Sequence, residues 1–165
     1  MDQATELKGI APASAFVEKV TVKSRNYRAD EEVVNEHTYY LRQFGYKDFF
    51  RVLPHANSIY AAIKALNIDL DSLLKGFEGD PFSIIEPILQ VSAVVGEDVA
   101  ALTALAIGKP VDYLNTLDPA DGVQLTIAVF KVNIDFFVQT ILPMLEKMKG
   151  ATEAETAIAT DGATL

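Results

Sequence analysis

The two histidines are the first side chains to test for chemistry, because imidazole is a frequent metal ligand and general base. His37 follows an acidic run that contains Glu31, Glu32 and Glu36. His55 stands apart, and neither histidine has a second His or any Cys at the short spacing that zinc sites use. We therefore interpret the residues around His37 as a solvated acidic segment, and we expect no metal site and no cofactor.

A second acidic run has the composition of a calcium loop. It contains Asp69, Asp71, Glu78 and Asp80. A helix–loop–helix calcium site that began at Asp69 would need glycine at its sixth position and usually glutamate at its twelfth. The chain has Leu74 and Asp80 there. These acids fit better as helix caps, because an Asp side chain accepts hydrogen bonds from the first backbone N–H groups of a helix.

The familiar motifs of nucleotide-binding and hydrolytic enzymes do not occur in this sequence. It has no phosphate-binding loop, dinucleotide fingerprint or nucleophile elbow, and its serines lie in no recognisable catalytic frame. Basic and aromatic residues alternate over residues 39–51, as on surfaces that stack nucleic-acid bases. A net charge of −9, from 23 acidic and 14 basic residues, argues against such a partner. We expect a protein that is not an enzyme; a catalytic or small-molecule-binding bundle is the least supported alternative.

The composition bounds the organisation of the chain. With 165 residues, half of them apolar, it can form one domain with a sizeable core. The absence of cysteine and of a signal-peptide pattern predicts a reducing, cytoplasmic location. The most apolar stretch, residues 88–107, is interrupted by Glu97 and Asp98, so we expect no membrane span. We expect one domain over residues 1–150 and a flexible tail over residues 151–165, where large apolar residues become rare.

The longest periodic pattern covers residues 118–149 and predicts a long C-terminal helix. Asp118 is placed to cap this helix, Pro119 suits its first position, and Asp121 lies in its first turn. Apolar residues then recur at steps of mostly three and four, which aligns them along one side of a helix. We predict that this stripe faces the core; its members are Val123, Ile127, Phe130, Ile134, Phe137, Ile141, Leu145 and Met148.

The same helix carries a second apolar face, formed by Leu125, Val129, Val132 and Phe136. Two interpretations stay open: the helix runs through the middle of its own domain, or these four residues form a groove that binds a partner helix. Pro143 is expected to kink or shorten the last turns. Gly150 is expected to end the helix.

The upstream patterns predict a hairpin, over about residues 16–44, followed by several helices. Residues 16–23 are rich in β-branched side chains and predict one strand; residues 39–44 predict its partner, with the polar residues 24–36 as a turn or long loop. Pro54 is expected to split or kink the first helix, and residues 96–98 to separate two very apolar helices. The predicted fold is mainly α: a helical bundle with a small N-terminal β-hairpin and a long C-terminal helix.

Two stretches together resemble the phage tail assembly chaperones, small helical proteins encoded just upstream of the tape measure protein in long-tailed phages. Residues 38–54, TYYLRQFGYKDFFRVLP, are similar to the strand-to-helix passage near the N-terminus of such proteins. Residues 118–145, DPADGVQLTIAVFKVNIDFFVQTILPML, are similar in their acidic, Pro-containing helix start and in an Asn-x-Asp-Phe-Phe element at residues 133–137. Neither stretch is an active-site signature.

The resemblance implies a function without catalysis. Such chaperones keep the tape measure protein soluble in the host cytoplasm and assist polymerisation of the tail tube around it. In many phages a longer form, made by a ribosomal frameshift, recruits the tail tube protein. Homo-oligomerisation is left open, and neither nucleic acid nor a membrane is an expected partner. The alternative is a helical structural or adaptor component of a virion, without chaperone activity.

Overall fold

The computed structural model describes residues 16–28 and 31–161, which form a β-hairpin followed by a bundle of helices. Strands β1 (Phe16–Arg28) and β2 (Glu31–Arg42) are antiparallel. The α-helices are α1 (Tyr46–Ala65), α2 (Leu70–Glu78), α3 (Ile85–Ile107), α4 (Pro119–Phe136) and α5 (Leu142–Asp161). Short 3-10 helices, Pro81–Ile84 and Val111–Thr116, precede α3 and α4, and a π-helical segment, Phe137–Ile141, joins α4 to α5. The predicted fold class is confirmed.

The hairpin is longer than the sequence pattern indicated. Residues 24–28 and 31–36, expected to form a loop, belong to the two strands, and Ser24 pairs with Asn35 in register. Residues 32–36 of the hairpin are exposed, which accounts for their polar composition. Ser24 is buried beside its bridge to Leu117, and Val22 and Leu41 are buried nearer α1. The prediction of a long loop was therefore wrong.

Helix α1 contains Pro54 without being split into two helices. At its start the Asp48 carboxylate accepts a hydrogen bond from the Gly45 backbone N–H at 2.9 Å, which is one half of a capping box. Helix α3 is likewise assigned as one helix, although Val95 has non-helical backbone angles (φ −129°, ψ 41°) that kink it. The expected break at residues 96–98 is therefore a kink one residue earlier. Gly108, in the left-handed conformation (φ 66°), ends α3 as a glycine C-cap.

Two acidic side chains fix the N-terminus of α4 against the hairpin. Asp118 caps the helix through Ala120 N–H at 3.1 Å and pairs with the Arg25 guanidinium at 2.9 Å. The Asp121 carboxylate accepts a hydrogen bond from the Lys23 backbone N–H at 2.7 Å. The predicted cap at Asp118 is confirmed, and these contacts set the angle at which α4 crosses the sheet.

The C-terminal part continues as helix beyond its predicted end. Helix α5 runs through Asp161, so the prediction that Gly150 ends it is wrong, and residues 151–161 of the expected tail are helical. Residues 151–161 include four Ala, which has the highest helix propensity and compensates for one glycine. Residues 162–165 of the expected tail lie outside the described residues.

Two helical stretches, Phe82–Ile107 and Pro119–Glu153, are long and apolar enough to cross a membrane, by length and composition only. The core helix of a soluble protein meets the same criterion. Both stretches contribute fully buried residues to the shared core of this fold, such as Leu102 and Leu125.

Candidate functional site

The face of α4 that was a candidate partner-binding surface is turned into the protein. Leu125, Val129 and Val132 are 0%, 1% and 3% exposed, and Phe136 is half-buried with its ring centroid 6.0 Å from that of Phe44. The hairpin covers this side because Asp118 and Asp121 hold α4 against β1. A partner cannot reach three of these four side chains without opening the fold. The interpretation in which the helix runs through its own domain therefore applies to this face.

The stripe that was expected to face the core is the more open side of the helix. Val123, Ile127, Phe130, Ile134 and Phe137 are half-buried, whereas Ile141 and Leu145 are buried and Met148 is exposed. Periodicity identified the two apolar stripes, but their Phe136 and Phe137 members are not on opposite sides, since their rings meet 5.8 Å apart and both contact Phe44. It could not say which side would be covered more completely, because that depends on the hairpin, which is distant in sequence.

The open stripe forms one wall of a groove between α4 and the helices α1 and α2, which we call the apolar groove. The groove contains about 530 Å³ of space, counting the part that opens to solvent. All its lining residues are apolar except for the hydroxyl group of Tyr60. They are Ala56, Ile59, Tyr60, Ile63, Leu70, Leu73, Leu74, Phe77, Phe130, Ile134, Phe137, Val138, Ile141 and Leu142.

The π-helical segment shapes the wall of the apolar groove. Leu142 N–H donates to the Phe137 carbonyl oxygen, the i to i+5 pattern of a π turn. Pro143, the next residue, has no N–H to donate and its ring would crowd the carbonyl of Gln139 in a regular α-helix. The wider turn relieves this conflict and places Phe137, Val138 and Ile141 on the same groove wall. Such π turns within α-helices occur frequently at functional sites.

One end of the groove adjoins a cluster of four phenylalanine rings. The Phe130 and Phe137 rings are stacked with their centroids 5.6 Å apart, and Phe44 and Phe136 each meet Phe137 edge to face, at 6.3 and 5.8 Å. These geometries are favourable for aromatic pairs. Because Phe44 precedes α1, the cluster connects the hairpin, α1 and the π segment.

Asn133 is a positioning residue that sequence reasoning missed. Its side chain is fully buried; its oxygen accepts a hydrogen bond from Phe44 N–H at 2.6 Å and its amide donates to the Val129 carbonyl at 2.9 Å. The resemblance had singled out Asn133 only as part of a motif. A buried Asn on an otherwise apolar helix face was the signal, since such a side chain nearly always has specific partners.

A second apolar cavity lies next to the groove, towards α3. It contains about 360 Å³, counting the part that opens to solvent. Five residues line both spaces and form the boundary between them: Ile59, Ile63, Leu73, Phe77 and Phe130. Helix α2 is held close to the following turn by Gly76, where a Cβ atom would lie 2.4 Å from Ile84 Cγ2. The position of α2 therefore depends on a glycine.

Positive charge lies near the Tyr60 side of the groove. The Lys149 and Lys64 ammonium groups lie 4.8 and 5.5 Å from the Tyr60 ring centroid, within the range of cation–π attraction. This arrangement connects α5 to α1 across one end of the groove. The Tyr60 end of the groove therefore carries two cations.

Outside the groove, the described titratable groups make contacts that connect elements of the fold. The His55 ring nitrogen Nδ1 lies 2.8 Å from an Asp98 carboxylate oxygen, which connects α1 to the kinked part of α3. Burial, together with the nearby Tyr113 hydroxyl, raises the pKa of Tyr39. A hydrogen bond from Ser72 lowers the pKa of Asp69, the N-cap of α2. Among the residues that the structure describes, no group of three His, Asp or Glu side chains could hold a metal ion.

Comparison with known proteins gives a family but no activity. Residues 37–164 match the profile of a family described as a family of unknown function (DUF6631). No curated protein and no solved structure matches the chain. The matched residues include the second half of β2 (residues 37–42) and all five α-helices, and therefore the whole lining of the apolar groove.

Proposed function

The chain belongs to this family of unknown function (DUF6631), and we propose that it is an assembly chaperone whose apolar groove binds one face of a partner helix. The partner we propose is the tape measure protein of a long-tailed phage, in the host cytoplasm. Binding keeps this partner soluble until the tail tube polymerises around it. No nucleotide takes part, because burial of apolar surface supplies the free energy.

The observation that carries the proposal is the half-open, apolar wall formed by Phe130, Ile134 and Phe137. These residues are spaced four and three positions apart, the spacing that matches apolar positions on an opposing helix. A groove of this kind selects for apolar surface and not for a reactive group. It therefore supports binding of a helix more directly than it supports catalysis.

Burial of apolar surface drives the proposed binding. It is worth about 25 cal/mol per Å² before the costs of association are subtracted. Because the groove leaves only a narrow strip of apolar surface open, the gross gain is limited. The net affinity would be moderate, as release during tail assembly requires. The net charge of −9 keeps the chaperone and its complex dispersed.

The further partners follow from the resemblance. We propose that a longer, frameshifted form recruits the tail tube protein, so that one groove and one added domain bring tape measure and tube together. The alternative function is that of a helical structural or adaptor component of a virion. The exposed aromatic residues Tyr46 and Phe50 at the start of α1, 81% and 65% exposed, favour a second contact surface of the kind that an adaptor needs.

Co-expression with the tape measure protein of the same phage tests the proposed function. The chaperone should move that protein from the pellet to the soluble fraction without added nucleotide. Val138→Glu, which puts a charge into the groove at a half-buried position, should abolish this effect. Val94→Glu is the matched control, since Val94 is exposed on α3 and away from the groove.

The introduced glutamate must lie at a position where it can block docking without unfolding the protein. Val132→Glu would not report on docking, because a carboxylate at a site 3% exposed would disrupt the fold itself. Circular dichroism of the Val138→Glu and Val94→Glu variants should show native helix content. If the tape measure protein is equally soluble with and without the chaperone, the proposed function is wrong. The adaptor alternative predicts that the protein remains in finished virions, which mass spectrometry of purified particles would detect.

A further inference from the structure

The outer edge of strand β1 has backbone groups that face away from β2. On one side of this strand, the segment before α4 already pairs with it: Ser24 and Leu117 form an antiparallel bridge, and Asp118 N–H donates to the Lys23 carbonyl at 3.0 Å. The Lys23 N–H donates to the Asp121 carboxylate. Both backbone groups of Lys23 therefore point outward.

The alternation of an antiparallel ladder extends this orientation along β1. Every second residue of a strand directs its N–H and C=O to the same edge, so Thr21 and Lys19 face outward as Lys23 does. The Thr21 and Thr38 hydroxyl oxygens lie 2.9 Å apart, consistent with the closer side-chain approach of a pair that does not exchange backbone hydrogen bonds. Within the described residues, the hydrogen bonds made across this outer edge are those of Lys23.

The edge at Lys19 and Thr21 borders an open space, which we call the edge cleft. It contains about 1110 Å³, counting the part open to solvent, and lies between β1, the flank of α4 and the turn from α2 to α3. Its apolar wall includes Ile84, Ile127 and Ala128. Its rim includes an acidic residue, Glu78, and a basic residue, Lys131. The edge cleft shares one residue, Phe77, with the apolar groove and is otherwise a separate site.

We propose that the edge cleft binds an extended peptide segment of a partner protein, which adds to β1 as a third strand beside Lys19 and Thr21. The occupant is an extended backbone and not a helix, because the site presents a row of backbone donors and acceptors. The chain itself demonstrates the mode of binding, since residues 117–118 lie along the next positions of the same edge in extended conformation. Main-chain pairing of this kind is a common mode of peptide recognition.

The side chains around the edge define the chemistry of the peptide. Val20 points to the interior and Lys19 and Thr21 to solvent, so the residue opposite Val20 on an added strand would face Ile84, Ile127 and Ala128. That position takes a β-branched or other small apolar side chain. The two residues that flank this position on the added strand face solvent, one beside Thr21 and one beside Lys19. A threonine pairs well across strands with Thr21, and an acidic residue pairs well with Lys19.

The probe for this site is a fluorescein-labelled peptide of alternating Thr and Val with one Glu, TVTVEVT, capped at both ends. Fluorescence polarisation with the intact protein should show saturable binding. In NMR hydrogen-exchange spectra, the peptide should slow exchange of the Thr21 and Lys19 amides. The same peptide with N-methyl groups on alternate residues keeps the side chains but cannot pair along the edge, and it should bind at least about tenfold more weakly.

A matched pair of variants locates the binding edge. Thr21→Pro removes the outward N–H in the edge cleft, and Thr38→Pro removes the corresponding group on the opposite edge of the hairpin. Both lose the contact between the two hydroxyl groups. Binding should fall about tenfold in Thr21→Pro and stay within about twofold of native in Thr38→Pro.

Three results would overturn the proposal. They are no saturable binding of the peptide by the native protein, equal binding of the N-methylated peptide, and equal losses in the two proline variants while circular dichroism shows both folded. Should Thr21→Pro fail to fold, the comparison of the two peptides on the native protein decides. None of these measurements involves the tape measure protein, so the result is independent of the proposed function.

Discussion

At the scale of single residues, the buried polar side chain of Asn133 connects two distant parts of the fold. It joins the backbone before α1 to helix α4 through two hydrogen bonds, to Phe44 N–H and from its own amide to Val129. The aromatic cluster beside the apolar groove is positioned by this contact, because Phe44 is part of both. One asparagine therefore links the fold to the candidate site.

Replacement of Asn133 by alanine should lower the free energy of unfolding by about 1–3 kcal/mol, because the buried Phe44 N–H would lose its acceptor. Urea denaturation followed by circular dichroism measures the change. Asn57→Ala, at an exposed position of α1, is the control and should change stability by less than about 0.5 kcal/mol. Similar, small changes in both variants would mean that the Asn133 contact contributes little.

The pKa of Tyr39 predicts a stability loss at alkaline pH. Burial raises this pKa in the folded protein, so the unfolded chain gives up the Tyr39 proton more readily. Below about pH 10, the ordinary tyrosine value, both states keep the proton and the free energy of unfolding is unaffected. As the pH rises above about 10, the free energy of unfolding should fall. Tyr39→Phe should make this fall shallower in urea denaturation between about pH 9 and pH 11, and an unchanged slope would contradict the assignment.

At the scale of elements, local sequence signals predicted the type of most segments and the context decided their lengths. The cap at Asp118 and the cap at Asp69 are encoded within a few residues and were readable. The full length of the strands could not be predicted, because it depends on pairing between residues distant in sequence. The continuation of α5 past Gly150 could not be predicted either, because it depends on the summed helix propensity of the residues that follow. The two faces of α4 were both recognised, but the relative exposure of each followed from the hairpin.

Two glycine-to-alanine changes should have opposite effects on stability. At Gly76 the added Cβ would lie 2.4 Å from Ile84 Cγ2 and 2.8 Å from Ser83 Oγ, so Gly76→Ala should destabilise the protein by about 1–3 kcal/mol. At Gly150, in helix α5, a Cβ would meet nothing within 4 Å. Gly150→Ala should raise the helical circular dichroism signal and slow amide exchange in α5, since alanine favours a helix over glycine by about 1 kcal/mol.

Thermal melting and amide exchange together separate the two glycine effects. Melting reports the cost at Gly76, which lies in the core contact between α2 and the following turn. Exchange reports the local gain at Gly150, because the end of a helix opens without global unfolding. A destabilised Gly150→Ala variant would mean that the chain needs flexibility at this position. A neutral Gly76→Ala variant would mean that the α2 turn relaxes freely.

At the scale of the whole molecule, charge and apolar surface are separated in a way that suits a binding protein. The net charge of −9 is distributed over an exterior that carries most of the ionisable groups, while the apolar groove has almost no polar lining. Because the sequence pattern assigned the groove wall to the core, its openness was visible only once α1, α2 and α4 were placed together. The apolar groove is therefore a property of the packing of three helices and not of a local motif.

A polarity-sensitive dye in the apolar groove tests the docking of a partner helix most directly. The chain has no cysteine, so Val138→Cys can be labelled with acrylodan, a dye whose emission shifts to the blue in apolar surroundings. Addition of a solubilised helical segment of the tape measure protein should give a saturable blue shift at Val138 and none at a Val94→Cys control on the exposed side of α3. A blue shift at Val94 alone, or at neither position while the segment binds, would contradict a partner helix in the apolar groove.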